Sequence, residues 1–255
     1  MKRWLPSVSV VLLAACLGPA ALPVLADVCM RQQRHTDAYT VQGVASPERT
    51  EVWTYWFGKG RARIDRGGGR STLVLLDEGV VIDLDHSSRT FTQTPLAAGK
   101  AIAGDDKGRS GLAGGAKQLP LGGVSAVVTR TNDTKDVSGR RCRKYLLEIK
   151  IPVVESRSEA WVTEDLKVDP DLYHTAIYAM LASQPGFPEM IREMRQFRGV
   201  VVFETIMATM LGAKVTASQE VLEFRTETPP RGIYEIPSGY RKAPSAAKGV
   251  TSTSS

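Results

Sequence analysis

The sequence predicts an α+β fold in which a curved antiparallel sheet, a half-barrel, carries a pair of helices packed on its concave face. Between Thr36 and Gln93, short apolar runs are separated by hairpin-length turns, which is typical of antiparallel strands. From Asp169 to Phe197 the apolar period becomes helical, and after Gly199 the strand pattern returns. Because strands flank a helical insertion without alternating with helices, Rossmann folds and parallel barrels are excluded.

The composition is that of an ordinary globular protein. The 255 residues include 42% hydrophobic and 24% charged residues, enough to bury a core, and the three cysteines are too few for a disulfide-framework miniprotein. The formal net charge of +6 is modest. Since no basic stripe is interleaved with stacking aromatic residues, we expect no nucleic-acid partner.

The N-terminal 26 residues have the pattern of an export signal. Two basic residues follow Met1, and the uncharged stretch that comes next ends in a small residue, Ala26. We therefore expect cleavage after Ala26 and a periplasmic location. Two alternatives stay open: lipidation at Cys16, since Leu13-Ala14-Ala15-Cys16 resembles a lipobox, and an uncleaved anchor.

Cleavage after residue 26 would leave Cys29 and Cys142 in a compartment where disulfides persist. We predict a Cys29–Cys142 disulfide. In the chain-entropy model, closing so long a loop stabilises a fold by roughly 4 to 5 kcal/mol. The alternative is a pair of free or buried thiols.

The first half of the mature chain is predicted to be a meander of short strands. These strands are Tyr39–Val44, Val52–Phe57, Arg61–Asp65, Thr72–Leu76, Val80–Leu84 and Thr90–Thr94. In Val52–Phe57 nearly every residue is bulky, so we expect both faces of that strand to be covered.

A long loop divides this meander from the second half. Residues 97–123 are rich in Gly, Ala, Ser and Lys, which predicts a flexible loop. Strands are expected to resume at Val124–Thr131, Arg143–Ile151 and Ser158–Thr163. We interpret residues 27–242 as one half-barrel domain, and residues 243–255 as a disordered polar tail.

The helical insertion has clear start signals. Asp169-Pro170 has the form of an N-cap followed by proline at the first helical position, and Pro188 opens a second helix after Pro185-Gly186. Strands then follow at Val200–Met210, Lys214–Arg225 and Ile233–Ile236. A sheet of about ten strands must curl or close, which would place the helical pair in its hollow.

Five fragments together carry a family resemblance. They are Trp53–Asp65, Val80–Phe91, Gly139–Tyr145, Ala160–Thr163 and Ile236–Arg241. In order and spacing they resemble an uncharacterised family of exported bacterial domains, of unknown function, that is similar in fold to the outer-membrane lipoprotein carriers LolA and LolB. The resemblance covers most of residues 34–242. It implies a half-barrel able to shelter acyl chains, and it transfers no catalytic residue.

The expected hollow is rich in methionine, since five of the seven methionines lie between Met180 and Met210. Thioether side chains are flexible and suit a lining for varied apolar ligands. The tentative groove residues are Trp53, Tyr55, Phe57, Trp161, Met180, Met190, Met194 and Phe197. The first hypothesis is a periplasmic carrier of a lipid or lipoprotein. In the second, these residues fill the core, and the protein is an envelope interaction or sensor module.

No catalytic or metal-binding motif is present in the sequence. There is no GxSxG elbow and no HExxH motif, and Asp83, Asp85 and His86 are ordinary residues for the end of a hairpin strand. We expect no enzyme activity, no metal and no cofactor, and keep a hydrolase assembled from distant residues as a third hypothesis. The basic run Arg140–Lys144 would allow a peripheral contact with anionic lipids, with a solvated strand edge as the alternative.

Overall fold

The fold is seen in a computed structural model that describes residues 26–96, 123–182 and 184–244. The first-half strands are β1 (Asp27–Thr36), β2 (Tyr39–Val41), β3 (Val44–Ser46), β4 (Arg49–Gly58), β5 (Arg61–Arg66), β6 (Arg70–Leu75), β7 (Val80–Asp85) and β8 (Thr90–Pro95). The later elements are β9 (Ser125–Val137), β10 (Arg140–Ile151), β11 (Val154–Thr163), α1 (Pro170–Ile177), α2 (Phe187–Met194), β12 (Val200–Met210), β13 (Ala213–Glu227) and β14 (Arg241–Lys242).

Three of the expected segments lie almost entirely outside the described residues. The signal peptide expected over residues 1–26 is described only at Ala26, and the loop expected over residues 97–123 only at Gly123. The tail expected over residues 243–255 is described only at Ala243 and Pro244. Within the described ranges, no helix has the length and apolar character needed to cross a membrane.

Twelve of the strands form a single sheet. Their order is β14-β8-β7-β6-β5-β4-β1-β13-β12-β11-β10-β9, and all neighbours are antiparallel except β14 and β8. The first strand lies inside the sheet, where β1 pairs with β4 on one side and with β13 on the other. It therefore joins the meander of the first half to the meander of the second.

The predicted α+β half-barrel with a helical pair is wrong. The described residues form fourteen strands and two α-helices of eight residues each, and the twelve-stranded sheet does not close. The physical reason lies in the lengths of the elements. Strands β9, β10 and β13 have 13, 12 and 15 residues, so they include stretches that we expected to be turns. The helical apolar period continues beyond the end of α1 at Ile177. Residues 179–181 form a 3-10 turn in place of a further α-helical turn.

The predicted helix starts are confirmed. The side chain of Asp169 accepts a hydrogen bond from the backbone N–H of Leu172 at 2.8 Å, and Pro170 occupies the first helical turn. Gly186, at φ +85°, precedes α2, and a side chain there would lie 2.4 Å from the carbonyl oxygen of Val124. Glycine thus lets α2 start against the backbone just before β9.

Both helices pack on one face of the sheet, and their buried residues join those of the sheet in a single core. Leu172 and Tyr173 of α1 and Met190 of α2 lie in this cluster beside Met30 and Tyr55. We call this side the inner face. Burial of its apolar side chains is the main stabilising contribution, at about 25 cal/mol per Å².

The opposite, outer face is covered over β4–β8 by the C-terminal segment, residues 228–240. Tyr234 packs there against Cys29 and Trp56, and Ile236 and Tyr240 pack against a second small cluster centred on Leu73. Because neighbouring residues of a strand face opposite sides, Tyr55 lies on the inner face and Trp56 on the outer. This confirms that both faces of β4 are at least partly covered.

The predicted Cys29–Cys142 disulfide is not present, because both cysteines are free and buried. Strands β13, β12 and β11 lie between β1, which carries Cys29, and β10, which carries Cys142. At nearly 5 Å per strand the two Cα atoms are far beyond disulfide range. The two thiols also belong to different clusters, and burial raises the pKa of each.

Among the described strands, β9 is an edge of the sheet and pairs only with β10. Its outward-facing backbone is partly occupied, since the N–H of Val128 donates to Oε1 of Glu193 in α2 at 3.3 Å. The register also shifts between Arg143 and Tyr145 of β10, and the side-chain hydroxyl of Thr131 donates to the carbonyl of Lys144 at 2.9 Å. The edge is thus irregular along its length.

Candidate functional site

The structure separates the eight tentative groove residues into three environments. Tyr55, Phe57, Met190, Met194 and Phe197 are buried in the inner core. Met180 is 65% exposed at the rim, and Trp53 and Trp161 are partly buried. The expected set is therefore not the continuous lining of one open groove.

The aromatic members of the set pack against other side chains. The rings of Tyr55 and Phe57 stack with their centroids 6.1 Å apart, and Phe57 lies 5.8 Å from Tyr173 of α1. Phe197 stacks on Tyr145 at 4.8 Å. Ring contacts of this kind stabilise a packed core beyond the area that they bury.

Little space remains between the helices and the sheet. One cavity there is bordered by Trp53, Ile64 and Met180, and another by Tyr173 and Phe197; each offers about 10 Å³ to the centre of a water-sized sphere. A cavity of that volume holds about one water molecule, whereas ligand sites usually span roughly 300–1,000 Å³. The described inner face is therefore filled at these two places, and a larger pocket of about 290 Å³ lies at its edge, between α2 and the start of β9.

A buried polar group lies beside the second cavity. The carboxyl of Glu204 accepts hydrogen bonds from the hydroxyl of Ser158 and the amide of Gln219. Burial raises the pKa of Glu204, although these two hydrogen bonds act in the opposite direction. The other amide atom of Gln219, Oε1, has no partner among the described residues. Glu204 is therefore a buried carboxyl whose pKa lies above its ordinary value.

His174 of α1 lies in the same region. Its ring is 5.1 Å from that of Tyr173 and 5.7 Å from that of Phe197, and burial lowers its pKa to about 3. Its Nε2 has no hydrogen-bond partner in the described part of the chain. A neutral imidazole in an aromatic setting, with no serine or cysteine bonded to it, has the properties of a packing residue.

A serine–histidine contact occurs elsewhere, on the outer face. Oγ of Ser71 lies 2.7 Å from Nε2 of His86, whose Nδ1 lies 2.5 Å from the hydroxyl of Tyr240. However, the Ser71 hydroxyl donates to Asp65 at 2.5 Å, and it accepts from Arg63 at 3.0 Å. With its hydrogen directed to a carboxylate and its oxygen occupied by donors, this serine is not arranged as a nucleophile. The network instead joins β5, β6 and the turn after β7 to the C-terminal segment.

The carboxylates at the end of β7, Asp83 and Asp85, already have hydrogen-bond partners within the protein. Asp83 accepts hydrogen bonds from Arg66 at 3.0 Å and Thr72 at 2.6 Å. Hydrogen bonds from Ser87 and Ser88 lower the pKa of Asp85 to about 2. Across residues 26–96, 123–182 and 184–244, no group of three or more His, Cys, Asp or Glu side chains is placed to hold a metal ion.

A large open groove of about 710 Å³ lies on the outer face, between the C-terminal segment and two hairpin turns. We call it the outer groove. Its charged lining residues are Asp27, Lys59, Arg61, Asp77, Glu78, Arg231 and Glu235. The sequence reasoning missed this site, because the residues come from four separate stretches; the only local signals were charges placed in Gly- and Pro-containing turns.

One wall of the outer groove is fixed by Tyr234. Its hydroxyl donates to Oδ2 of Asp27 at 2.6 Å, and the guanidinium of Arg61 lies 4.6 Å from its ring centroid. Burial raises the pKa of Tyr234, so its hydroxyl stays a donor at neutral pH. These contacts hold the C-terminal segment in place along the groove.

Apart from Asp27, the charged side chains of the outer groove form no ion pair within the described structure. Lys59, Arg61 and Arg231, like Asp77, Glu78 and Glu235, are exposed and form no ion pair with any described residue. Elsewhere on the sheet, neighbouring charges do pair, as in Lys150–Glu155 at 3.4 Å. With Arg61 engaged on the Tyr234 ring, two cations (Lys59, Arg231) and three anions (Asp77, Glu78, Glu235) are left to meet a complementary surface.

Comparisons with known proteins do not identify a family. No protein-family model matches the chain, and no curated protein matches it. Among solved structures, PNGF-II in a C2 space group is similar over 85% of this chain and 30% of its own, with a TM-score of 0.41 and 11% sequence identity. This chain thus spans less than a third of that protein. So distant a likeness indicates nothing about activity, and the resemblance to the lipoprotein carriers stays a prediction.

Proposed function

We propose that this chain is an exported interaction module with a filled core, which binds a protein partner through the outer groove. The observation that carries the proposal is the contrast between two spaces. The two cavities beneath the helices each have room for about one water molecule, whereas the outer groove has a volume of about 710 Å³ and holds charges that form no ion pair with a described residue. A ligand would therefore bind on the outer face with no rearrangement of the core.

The charges of the outer groove favour a polypeptide partner. Cations and anions line the same opening, so a ligand with charge of one sign would be repelled by part of the lining. A protein segment that carries both signs would pair with both sets. Charge pairs of this kind contribute to specificity and to the rate of association.

The start of the sheet supports the export step of the proposal. Ala26 is exposed and Asp27, the first residue of β1, is buried. Cleavage between them would remove the leader and leave β1 complete, with Asp27 still bonded to Tyr234. Cleavage one or two residues later would remove part of a strand that has neighbours on both sides.

Site-directed photo-cross-linking in the cells that make the protein tests this function. A photoreactive residue replacing Glu78, within the outer groove, should give a discrete protein adduct, whereas one replacing the exposed Glu164 outside it should not. Arg231→Glu should abolish the adduct, and the matched Arg198→Glu, also on the surface, should preserve it. Equal adducts at both positions, or an adduct that withstands Arg231→Glu, would overturn the proposal.

A carrier of acyl chains is the alternative function, and it requires α1 and α2 to move away from the sheet. The protein should be purified without detergent, extracted with organic solvent and analysed by mass spectrometry. We expect no lipid in stoichiometric amount. One bound lipid per molecule would favour the carrier over the filled module.

A further inference from the structure

The first residue of the proposed mature chain lies in the wall of the outer groove. Asp27 begins β1 and lines the groove, and its carboxyl accepts the hydrogen bond from Tyr234. In the sheet register Val28 pairs with Phe57, so Asp27 lies at the end of β4 that leads into the β4–β5 turn. The backbone nitrogen of Asp27 is bonded to the same Cα as its side chain, and it therefore lies beside the groove.

The β4–β5 turn brings Asp27 close to a second carboxylate of the groove. A side-chain carbon placed at Gly58 would lie 2.8 Å from Oδ2 of Asp27, and one placed at Gly60 would lie 3.1 Å from Oδ2 of Asp77. Two residues separated by a single position have Cα atoms at most about 7 Å apart. Both carboxylates therefore lie against one short turn, which also carries Lys59 between the two glycines.

Carboxylates outnumber cations in the lining of the outer groove. The lining includes four carboxylate side chains and three cationic ones. Glu227, which faces Asp27 from β13, does not line the groove and is already paired with Arg225 at 3.4 Å. While the chain is intact, the lining therefore carries one excess negative charge.

Hydrolysis of the Ala26–Asp27 peptide bond by a signal peptidase would change this balance. Water supplies the second oxygen of the Ala26 carboxylate, and its two protons go to the nitrogen of Asp27. That nitrogen, an uncharged amide before cleavage, becomes an α-ammonium group. Since the ordinary pKa of an α-amino group is about 7.7–8.0, most of it is charged at neutral pH. The new cation makes the positive and negative charges of the groove equal in number.

We infer that the α-ammonium group of Asp27, created when the leader is removed, is a binding group of the outer groove. It pairs with a carboxylate of the partner segment, beside Lys59, while the bond to Tyr234 holds Asp27 in position. The precursor lacks this cation and carries residues 1–26 on the same nitrogen, so it binds the partner more weakly than the processed chain does. The inference rests on the proposed function and adds to it the step that activates the groove.

The first test moves the ammonium group and leaves every described side chain in place. Insertion of Gly-Ser between Ala26 and Asp27 keeps the small residue before the cleavage point and shifts the new N-terminus away from the groove. The photo-cross-linked adduct at Glu78 should fall at least about twofold, as expected for the loss of one exposed ion pair. The same dipeptide inserted after Pro244 is the matched control, and it should leave the adduct unchanged. An undiminished adduct in the first insertion would overturn the inference.

The second test does not need the partner. The pKa of the α-amino group is measured on the purified mature chain from the pH dependence of its acylation, followed by mass spectrometry of the N-terminal peptide. Nearby carboxylates favour the charged form, so this pKa should fall in Asp77→Asn. Glu164→Gln removes an exposed carboxylate outside the groove, and it should leave the pKa unchanged. The same pKa in the wild type and in Asp77→Asn would contradict the placement of the ammonium group.

Together the tests distinguish failure of this inference from failure of the proposed function. If the wild type gives no adduct at Glu78, the proposed function itself is wrong. If the wild type gives the adduct, and neither the Gly-Ser insertion nor Asp77→Asn has its expected effect, the groove binds its partner without the ammonium group and this inference alone is wrong. A mature chain that begins at a residue other than Asp27 would likewise overturn this inference and leave the adduct as support for the module.

Discussion

The hydroxyl of Tyr234 donates a 2.6 Å hydrogen bond to Oδ2 of Asp27, which lies 207 positions earlier in the chain. The pair joins the first residue of β1 to the segment that follows the last long strand. Both residues are buried, at 8% and 7% exposure, so the bond is shielded from water. It anchors the wall of the outer groove to the sheet.

Tyr234→Phe should destabilise the fold by about 2 kcal/mol, because Asp27 would keep a buried carboxyl without its donor. The change should appear as a lower midpoint of urea unfolding with an unchanged slope. Tyr39→Phe is the matched control, since no hydrogen bond from that hydroxyl is described, and it should shift the free energy of unfolding by less than about 0.5 kcal/mol. Equal shifts in the two variants would contradict the assigned role of the bond.

His174 should make the folded state sensitive to acid. Its pKa is about 3 in the folded state, against an ordinary value of 6.5, so the unfolded chain binds the additional proton between these values. Stability is therefore present above pH 6.5 and is lost as the pH falls towards 3, by about 2 kcal/mol between pH 6.5 and pH 5. His174→Phe should remove this part of the loss, as measured by urea unfolding at the two pH values. If the free energy of unfolding of wild type and variant changes with pH to the same extent, His174 is not a neutral buried imidazole.

Glu204 should act in the opposite direction. Its pKa is raised above the ordinary value of 4.5, so the folded state holds the proton more tightly, and stability falls as the pH rises from 4.5 through the folded pKa. Glu204→Gln should cancel this fall, since the amide carries no charge and Gln219 can turn its unpartnered Oε1 towards it. The difference in unfolding free energy between variant and wild type should thus favour the variant more at pH 7 than at pH 4.5. A difference that does not change with pH would show that the carboxyl is not desolvated.

The methionines should divide into core and surface groups. Met190 is 1% exposed and Met180 is 65% exposed. Met190→Ala should cost about 2–5 kcal/mol through lost burial and the cavity that it leaves, whereas Met180→Ala should stay within about 0.5 kcal/mol. Chemical denaturation measures both. Small and nearly equal effects of the two variants would mean that Met190 is packed less tightly beneath α2 than the structure indicates.

The elements with strong local signals were predicted well from the sequence. The predicted strand Val80–Leu84 matches β7, and the capping pattern at Asp169-Pro170 marks the start of α1. The bulky strand Val52–Phe57 is covered on both faces, as its composition required. These features depend on residues close together in the chain, where turn chemistry and side-chain period act directly.

The fold class and the site could not be obtained in the same way. A methionine stripe has the same period whether it fills a core or lines a cavity, because the spacing of Met190 and Met194 does not encode the volume left beside them. The disulfide failed for a related reason: the presence of Cys29 and Cys142 does not specify how many strands separate them. The outer groove combines stretches as distant as Lys59 and Arg231, and its charges resemble ordinary surface residues until the sheet brings them together.

An open sheet of twelve strands keeps a free side at β9, where another molecule could in principle add a strand. The carboxylate of Glu193 already accepts a hydrogen bond from the N–H of Val128. The register shift near Arg143 also interrupts the regular spacing of backbone N–H and C=O groups with which an added strand would pair. Both features disfavour the addition of a strand at β9. We expect this chain to stay dispersed at concentrations at which a flat, regular border of the same length would seed fibrils.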